Sequence, residues 1–158
     1  MGTIMPTLYV LVGVPGSGKS TWIAQQDWAR DCVVVSTDNF VEDYAKEVGS
    51  TYSEVFDDYM PTAVKLMADR VVCAREAGRD IIWDQTSTTR GSRRKKFAML
   101  PNYHAVAVVF PTPDKAEHDR RLASRPGKKI PWNVLNGMIS GFQMPTEDEG
   151  FDEIWTAS

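Results

Sequence analysis

Residues 13–21, Gly-Val-Pro-Gly-Ser-Gly-Lys-Ser-Thr, constrain this chain more than any other stretch. They fit the pattern G-x-x-x-x-G-K-[ST] and follow an apolar run, residues 8–12, that reads as a buried strand. Glycine lets backbone N–H groups turn inward around a phosphate, where a Cβ would intrude. In such a loop Lys19 reaches β- and γ-phosphates and the Ser20 hydroxyl ligates Mg²⁺. A helix opening at Lys19 adds the positive end of its dipole. Gly13, Pro15, Gly16, Ser17, Gly18, Lys19, Ser20 and Thr21 are therefore the expected nucleoside triphosphate contacts. The loop alone does not say where the γ-phosphate goes.

A chain of 158 residues fits one domain with a substantial core. Its 42% apolar and 25% charged content is ordinary for a soluble globular protein. No apolar run approaches the ~18 residues needed to span a bilayer, and residues 1–7 lack a basic region and cleavage pattern. A cytoplasmic protein with no membrane association and no obligate protein partner is expected. Cys32 and Cys73 sit in apolar stretches without metal-ligand spacing and read as reduced, buried thiols.

The formal charge of −3 argues against general affinity for nucleic acid, but the charge is uneven. Arg90, Arg93, Arg94, Lys95 and Lys96 form one basic cluster, and Arg120, Arg121, Arg125, Lys128 and Lys129 another. These are local positive surfaces able to meet a polyanion.

Five apolar runs read as strands: residues 8–12, 32–36, 80–83, 105–110 and, more weakly, 153–155. Helical patterns fill the intervals. The first continues from the loop through residue 29, and a second follows Thr37-Asp38 over residues 39–46. Residues 55–77 read as a long helix or helix pair, broken or kinked at Pro61 and stopped at Gly78. Residues 89–100, 114–124 and 132–142 complete the set. Strands alternating with helices predict an α/β fold, a parallel sheet with helices on both faces. Ligands of such sheets lie beyond the carboxyl ends of the strands, which gathers the loop, Asp38, Asp84 and Thr86 around one site.

Ile81-Ile82-Trp83-Asp84 has the Walker B form, an apolar strand closed by an acid that holds Mg²⁺. Capping or a salt bridge would also explain that aspartate. Asp38, at the mouth of the second strand, fits two roles equally: a base for an acceptor hydroxyl, or an N-cap for the following helix. The stretch from Arg121 to Lys129 runs from a helix into a Pro-Gly turn. It reads as a basic lid in which Arg121 and Arg125 share a face if the helix lasts, or as a solvated helix end. Arg90 and Arg93 open a helix near a strand end and are candidate phosphate contacts, whereas Lys95 and Lys96 suit an outer face. Tyr52, Phe56 and Tyr59 have helical spacing, so they serve the core or stack on bases. His104 and His118 receive no role.

Taken in order, these segments resemble the kinase domain of bacteriophage polynucleotide kinases, within the P-loop kinase superfamily. The likeness rests on residues 13–22, on Ser36-Thr37-Asp38-Asn39-Phe40, on Trp83-Asp84-Gln85-Thr86-Ser87, and on the stretch from Arg121 through Ile130-Pro131-Trp132-Asn133-Val134-Leu135. It implies one P-loop kinase domain over residues 1–158, with a sheet of about five strands and a basic lid near residues 121–130. It also implies ATP and Mg²⁺ as cofactors, Lys19, Asp38 and Arg125 as catalytic residues, and Arg121 as a further nucleotide contact. Ser20 and Asp84 would be metal ligands, and Asp38, Asp84, Thr86, Arg90 and Arg93 substrate contacts. The implied reaction is γ-phosphate transfer to a nucleic acid hydroxyl, the 5′-OH end of DNA or RNA, in the cytoplasm (of the host, if phage-encoded). Two departures stand out. The bifunctional members carry a C-terminal phosphatase domain that these residues leave no room for. Val41 stands where the family places an arginine that holds a substrate phosphate. A hydroxymethyl group on a modified pyrimidine base, a nucleoside or a small molecule is therefore an alternative acceptor, and a nucleotide-dependent switch a further one.

Overall fold

The structure, a computed structural model, describes residues 5–125 and 127–157. Residues 1–4 of the N-terminal reading, Pro126 of the expected lid and Ser158 lie outside the described residues. Five strands form one parallel sheet in the order β2-β3-β1-β4-β5. They are β1 (Thr7–Val12), β2 (Val33–Val35), β3 (Ile81–Trp83), β4 (His104–Val109) and β5 (Glu153–Thr156). The expected α/β architecture is thus what the chain adopts.

The apolar runs are continuous because β1, β3 and β4 are covered on both sides. Leu8, Val10 and Val12 point to one face, packing with Val35, Ile81, Trp83, Ala105 and Ala107. Leu11 points to the other, with Ile82, Val106, Val108 and Phe110. The edge strand β5 is exposed at all four residues, which is why its pattern in the sequence is weak.

Helix α1 (Lys19–Gln25) opens directly from the loop. It ends sooner than the pattern suggests: Gln26 is extended and a 3₁₀ turn, Asp27–Asp31, replaces the last helical turn. That turn brings Trp28 against Tyr9, with ring centroids 4.6 Å apart. Helix α2 (Thr37–Val48) starts immediately after β2. Helix α3 (Tyr52–Glu76) is one unbroken element, not a pair. Its N-terminus is fixed by a capping box in which Thr51 and Glu54 satisfy each other's backbone amides. Pro61 removes one helical donor, but Pro61 and Asp57 are exposed positions, so the freed carbonyl is open to solvent. Met67, Val71 and Ala74 hold the helix to the sheet. Cys73 faces outward from α3 and is exposed, and Cys32 is only partly buried, so neither is the core thiol the sequence suggests. Gly78 accepts a φ of 67° at the helix exit.

The side chains of Thr89 and Asp114 cap α4 (Arg90–Met99) and α5 (Lys115–Ala123). Helix α6 (Trp132–Ser140) follows Pro131. No helix among the described residues is long and apolar enough to cross a membrane.

Candidate active site

The segments that follow β1, β2 and β3 meet over a cavity of about 670 Å³ at the carboxyl edge of the sheet. Its wall includes Pro15, Gly16, Lys19 and Ser20 of the loop, Asp38 of α2, Asp84 and Thr86 beyond β3, and Arg125 beyond α5. Eight of the expected site residues therefore share one wall. Gly13, Ser17, Gly18, Thr21, Arg121, Arg90 and Arg93 are not part of it.

The loop is built as its glycines require. Gly16 and Gly18 have φ of 79° and 100°, conformations that a side chain disfavours. Gly13 has no room for one: a Cβ there would lie 2.5 Å from Ser17 Oγ and 2.8 Å from Phe110 Cβ. The Gly13 amide donates to Thr86 O at 2.9 Å, tying the loop to the segment after β3. The Lys19 ammonium donates to Gly13 O and Val14 O, both at 2.9 Å. Burial pushes its pKa down to about 8, against the opposing pull of Asp84. Ser17 Oγ is buried with no partner among the described residues. A buried cation and an unpaired hydroxyl beside a glycine cradle fit a triphosphate, which supplies acceptors for both.

Two side chains of α5 support this loop: His118, to which the sequence gives no role, and Arg121, expected there as a nucleotide contact. His118, buried on α5, meets Pro15 O through Nε2 at 2.6 Å. It also packs beside Gly16, where a Cβ would lie 3.1 Å from its ring. Arg121 donates to Gly16 O at 3.2 Å and to Glu117 at 2.8 Å. Arg121 thus braces the back of the loop. It does not share a helical face with Arg125, because α5 ends at Ala123.

Asp38 is not the cap of α2. Ser36 occupies that position, and Asp38 stands in the first turn with its carboxylate half-exposed toward the cavity. Tyr52 Oη donates to Asp38 Oδ1 at 2.6 Å, and Lys128 Nζ donates to Oδ2 at 3.2 Å and to Glu42 at 3.1 Å. The same ammonium lies 4.5 Å from the centroid of the Tyr52 ring. Burial, with Asp38 alongside, pushes the Tyr52 phenol far above its ordinary range, so it remains a donor. Glycine at 127, with φ of 71°, brings the lid segment onto α3: Ser53 N donates to Gly127 O at 3.0 Å and Lys129 N to Ser53 Oγ at 2.9 Å. Nothing local in the sequence joins Lys128 to Asp38, which are 90 residues apart.

Asp84 is largely buried at the end of β3, its amide bonded to Val35 O at 2.8 Å. Burial raises its carboxyl pKa, an effect Lys19 opposes. A partly desolvated carboxylate and a hydroxyl on one cavity wall, here Asp84 and Ser20, are a donor set suited to Mg²⁺ completed by phosphate oxygens and water. Among the described residues no cluster of three or more His, Cys, Asp or Glu could hold a metal by itself.

The same wall also has an apolar part. Phe56 and Met60 on α3, Val134 and Met138 on α6, and Ile130 and Pro131 before α6 all line it. The aromatic stripe thus divides: Tyr52 and Phe56 line the cavity, whereas Tyr59 stacks on Tyr44 in a small core, centroids 4.0 Å apart.

Arg93 is not on the cavity wall. It is fully buried, donating to both Glu149 oxygens at 2.8 and 3.0 Å and to Ser87 O at 2.9 Å. Ser87 has a φ of 47°, uncommon for a non-glycine residue, and this bond steadies it. Arg90 pairs with Asp148 at 2.9 Å on the surface. Lys96, expected on an outer face, is buried, its ammonium 5.3 Å from the centroid of the Trp83 ring. Partners on the chain's last segment, more than fifty residues downstream, draw Arg90 and Arg93 off the site.

Residues 8–145 match an AAA domain family, AAA_33. The chain belongs to this family. Its fold is that of P-loop kinases. A candidate kinase from Chloroflexus aurantiacus superposes with a TM-score of 0.71 over 99% of this chain and 86% of the other, at 18% identity. A chain of the Pnkp1/Rnl/Hen1 RNA repair complex gives 0.65 at 23% identity, covering 89% of this chain and 45% of its own, so this chain spans under half of that one. A gluconokinase from Sinorhizobium meliloti 1021 gives 0.56 at 18% identity, covering 96% and 82%.

Proposed function

We propose that the chain is a single-domain, ATP-dependent kinase that transfers the γ-phosphate to a hydroxyl of a nucleic acid, the 5′-terminal hydroxyl of DNA or RNA first among them. The observation that carries this reading is Asp38: a carboxylate free of capping duty, on the same cavity wall as Lys19 and Arg125. A switch or simple ATPase has no need of an acid placed for an acceptor. A phosphotransferase has.

In this reading Lys19 and the loop amides hold the β- and γ-phosphates, and Arg125, half-buried on the lid segment, lies against the transferring group. Asp38 takes the proton of the acceptor hydroxyl as that oxygen bonds to the γ-phosphorus and the bond to the β–γ bridging oxygen breaks. Ser20 and Asp84 would hold Mg²⁺, which when bound neutralises charge on the phosphate oxygens. Positioning and charge neutralisation supply most of the acceleration, because phosphoryl transfer asks little covalent chemistry of the protein. The slot of Phe56, Met60, Val134 and Met138 supports an acceptor with a flat, uncharged face such as a nucleobase.

A second reading is favoured by Val41, which is completely buried, so that no cation stands at that position to receive a terminal phosphate. The acceptor is then a hydroxymethyl group on a pyrimidine base in DNA, or a free nucleoside or other small molecule. Label transfer from γ-³²P-ATP to a panel separates them: 5′-OH DNA, 5′-OH RNA, duplex containing hydroxymethyluracil, nucleosides and gluconate. Labelled oligonucleotide ends support the first reading, and label confined to modified bases or small molecules overturns it.

A further inference from the structure

Beyond the loop, the base and the lid arginine, a second layer of residues converges on Asp38 from two other elements. Tyr52 opens α3 and donates to Oδ1 at 2.6 Å. Lys128 lies beyond α5 and donates to Oδ2 at 3.2 Å. We propose that Tyr52 and Lys128 are positioning residues that fix the Asp38 carboxylate in the orientation from which it receives the acceptor's proton. This inference rests on the reading of Asp38 as the base.

A half-exposed aspartate in a first helical turn has a broad χ2 well, so its carboxylate plane is otherwise free to rotate. Two donors, one on each oxygen, remove that freedom. They use two of roughly four acceptor directions of the carboxylate, leaving capacity for an incoming hydroxyl. The bond from Tyr52 is short and charge-assisted, the stronger kind. Lys128 is held from behind: the backbone on either side of it is bonded to Ser53, through Gly127 O and Lys129 N. Glu42 shares its ammonium, and the Tyr52 ring lies beneath it. The orientation of the base is thereby tied to docking of the lid on α3. Removing only the hydroxyl, as in Tyr52→Phe, keeps the ring under Lys128 and against Phe56, so the variant isolates one bond.

The test is a double-mutant cycle on transfer from ATP to a 5′-hydroxyl oligodeoxynucleotide, or to whichever panel acceptor the protein labels. Tyr52→Phe is expected to lower kcat about tenfold with KM for ATP unchanged, and to cost nothing more in an Asp38→Asn background. Lys128→Met is expected to behave likewise, with Lys128→Arg restoring most of the loss. Full kcat in Tyr52→Phe beside an inactive Asp38→Asn overturns this inference alone, as does a Tyr52→Phe loss that multiplies with Asp38→Asn. Undiminished transfer by Asp38→Asn removes the base reading itself. An acceptor-independent readout accompanies the cycle. Proton NMR should show a downfield, slowly exchanging tyrosine hydroxyl that disappears in both Tyr52→Phe and Asp38→Asn. Its absence from the wild-type protein overturns the inference.

Discussion

Arg93 and Glu149, fifty-six residues apart, form a two-bond ion pair closed off from solvent, with side-chain exposures of 0% and 5%. Burial works against the glutamate's charge, but Arg93 and the Thr146 amide outweigh it and hold that carboxyl below its usual range. The pair ties the 3₁₀ turn Glu147–Glu149 to α4, and through Ser87 O to the backbone just beyond Asp84. Glu149→Ala strands a buried guanidinium and is expected to cost about 3–5 kcal/mol in urea unfolding. Arg90→Ala breaks only the exposed pair with Asp148 and should cost far less than Glu149→Ala. Equal effects would show that the buried pair does not carry this load.

Lys96 gives the fold a pH dependence of definite sign. Burial, with Arg93 and Lys95 nearby, lowers its pKa to about 8. Below that pH the ammonium is charged in the folded and unfolded chain alike, and the fold bears the cost of burying it. Between about 8 and 10.5 the unfolded chain binds more protons, so the Lys96 contribution to stability rises with pH by about 2–3 kcal/mol. Lys96→Met is expected to be more stable than wild type at pH 7, with the difference closing by pH 10.5. Denaturant melts of the two proteins across that range measure it, and a difference that stays constant with pH would contradict it.

Gly13→Ala tests the loop without touching a charged group. The added Cβ meets Ser17 Oγ at 2.5 Å and the backbone-anchored Phe110 Cβ at 2.8 Å, so the loop has to move. ATP affinity is expected to fall at least about tenfold, equivalent to about 1.4 kcal/mol. Isothermal titration of ATP against both proteins reads this directly, and unchanged affinity would show that the cradle yields freely.

Much of the fold was legible because its signals are local. Strands covered on both faces gave continuous apolar runs, and Thr89, Asp114 and Pro131 marked the starts of α4, α5 and α6. The true start of α3 had a local signal too: Thr51 and Glu54 make a capping box in the sequence, its Thr four residues before the apolar pattern begins at Val55. The loop, Asp38, Asp84 and Thr86 were legible because strand ends of a parallel sheet converge on one edge, and Arg125 because it stands in a basic stretch that reads as a lid. What was not legible depended on distant partners. Arg93 looks like a phosphate contact until Glu149 folds over it, and Lys128 is one more lid cation until it reaches Asp38. His118 carries no motif at all; only the packing of α5 on the loop gives it Pro15 as a partner.

The central claim is that Asp38 serves an acceptor hydroxyl and not the nucleotide. The most direct measurement is transfer to the preferred acceptor of the panel by Asp38→Asn, with ATP binding measured on the same protein. Transfer is expected to fall by about 10²–10⁴-fold while ATP affinity stays close to wild type. Near-normal transfer by Asp38→Asn would contradict the account.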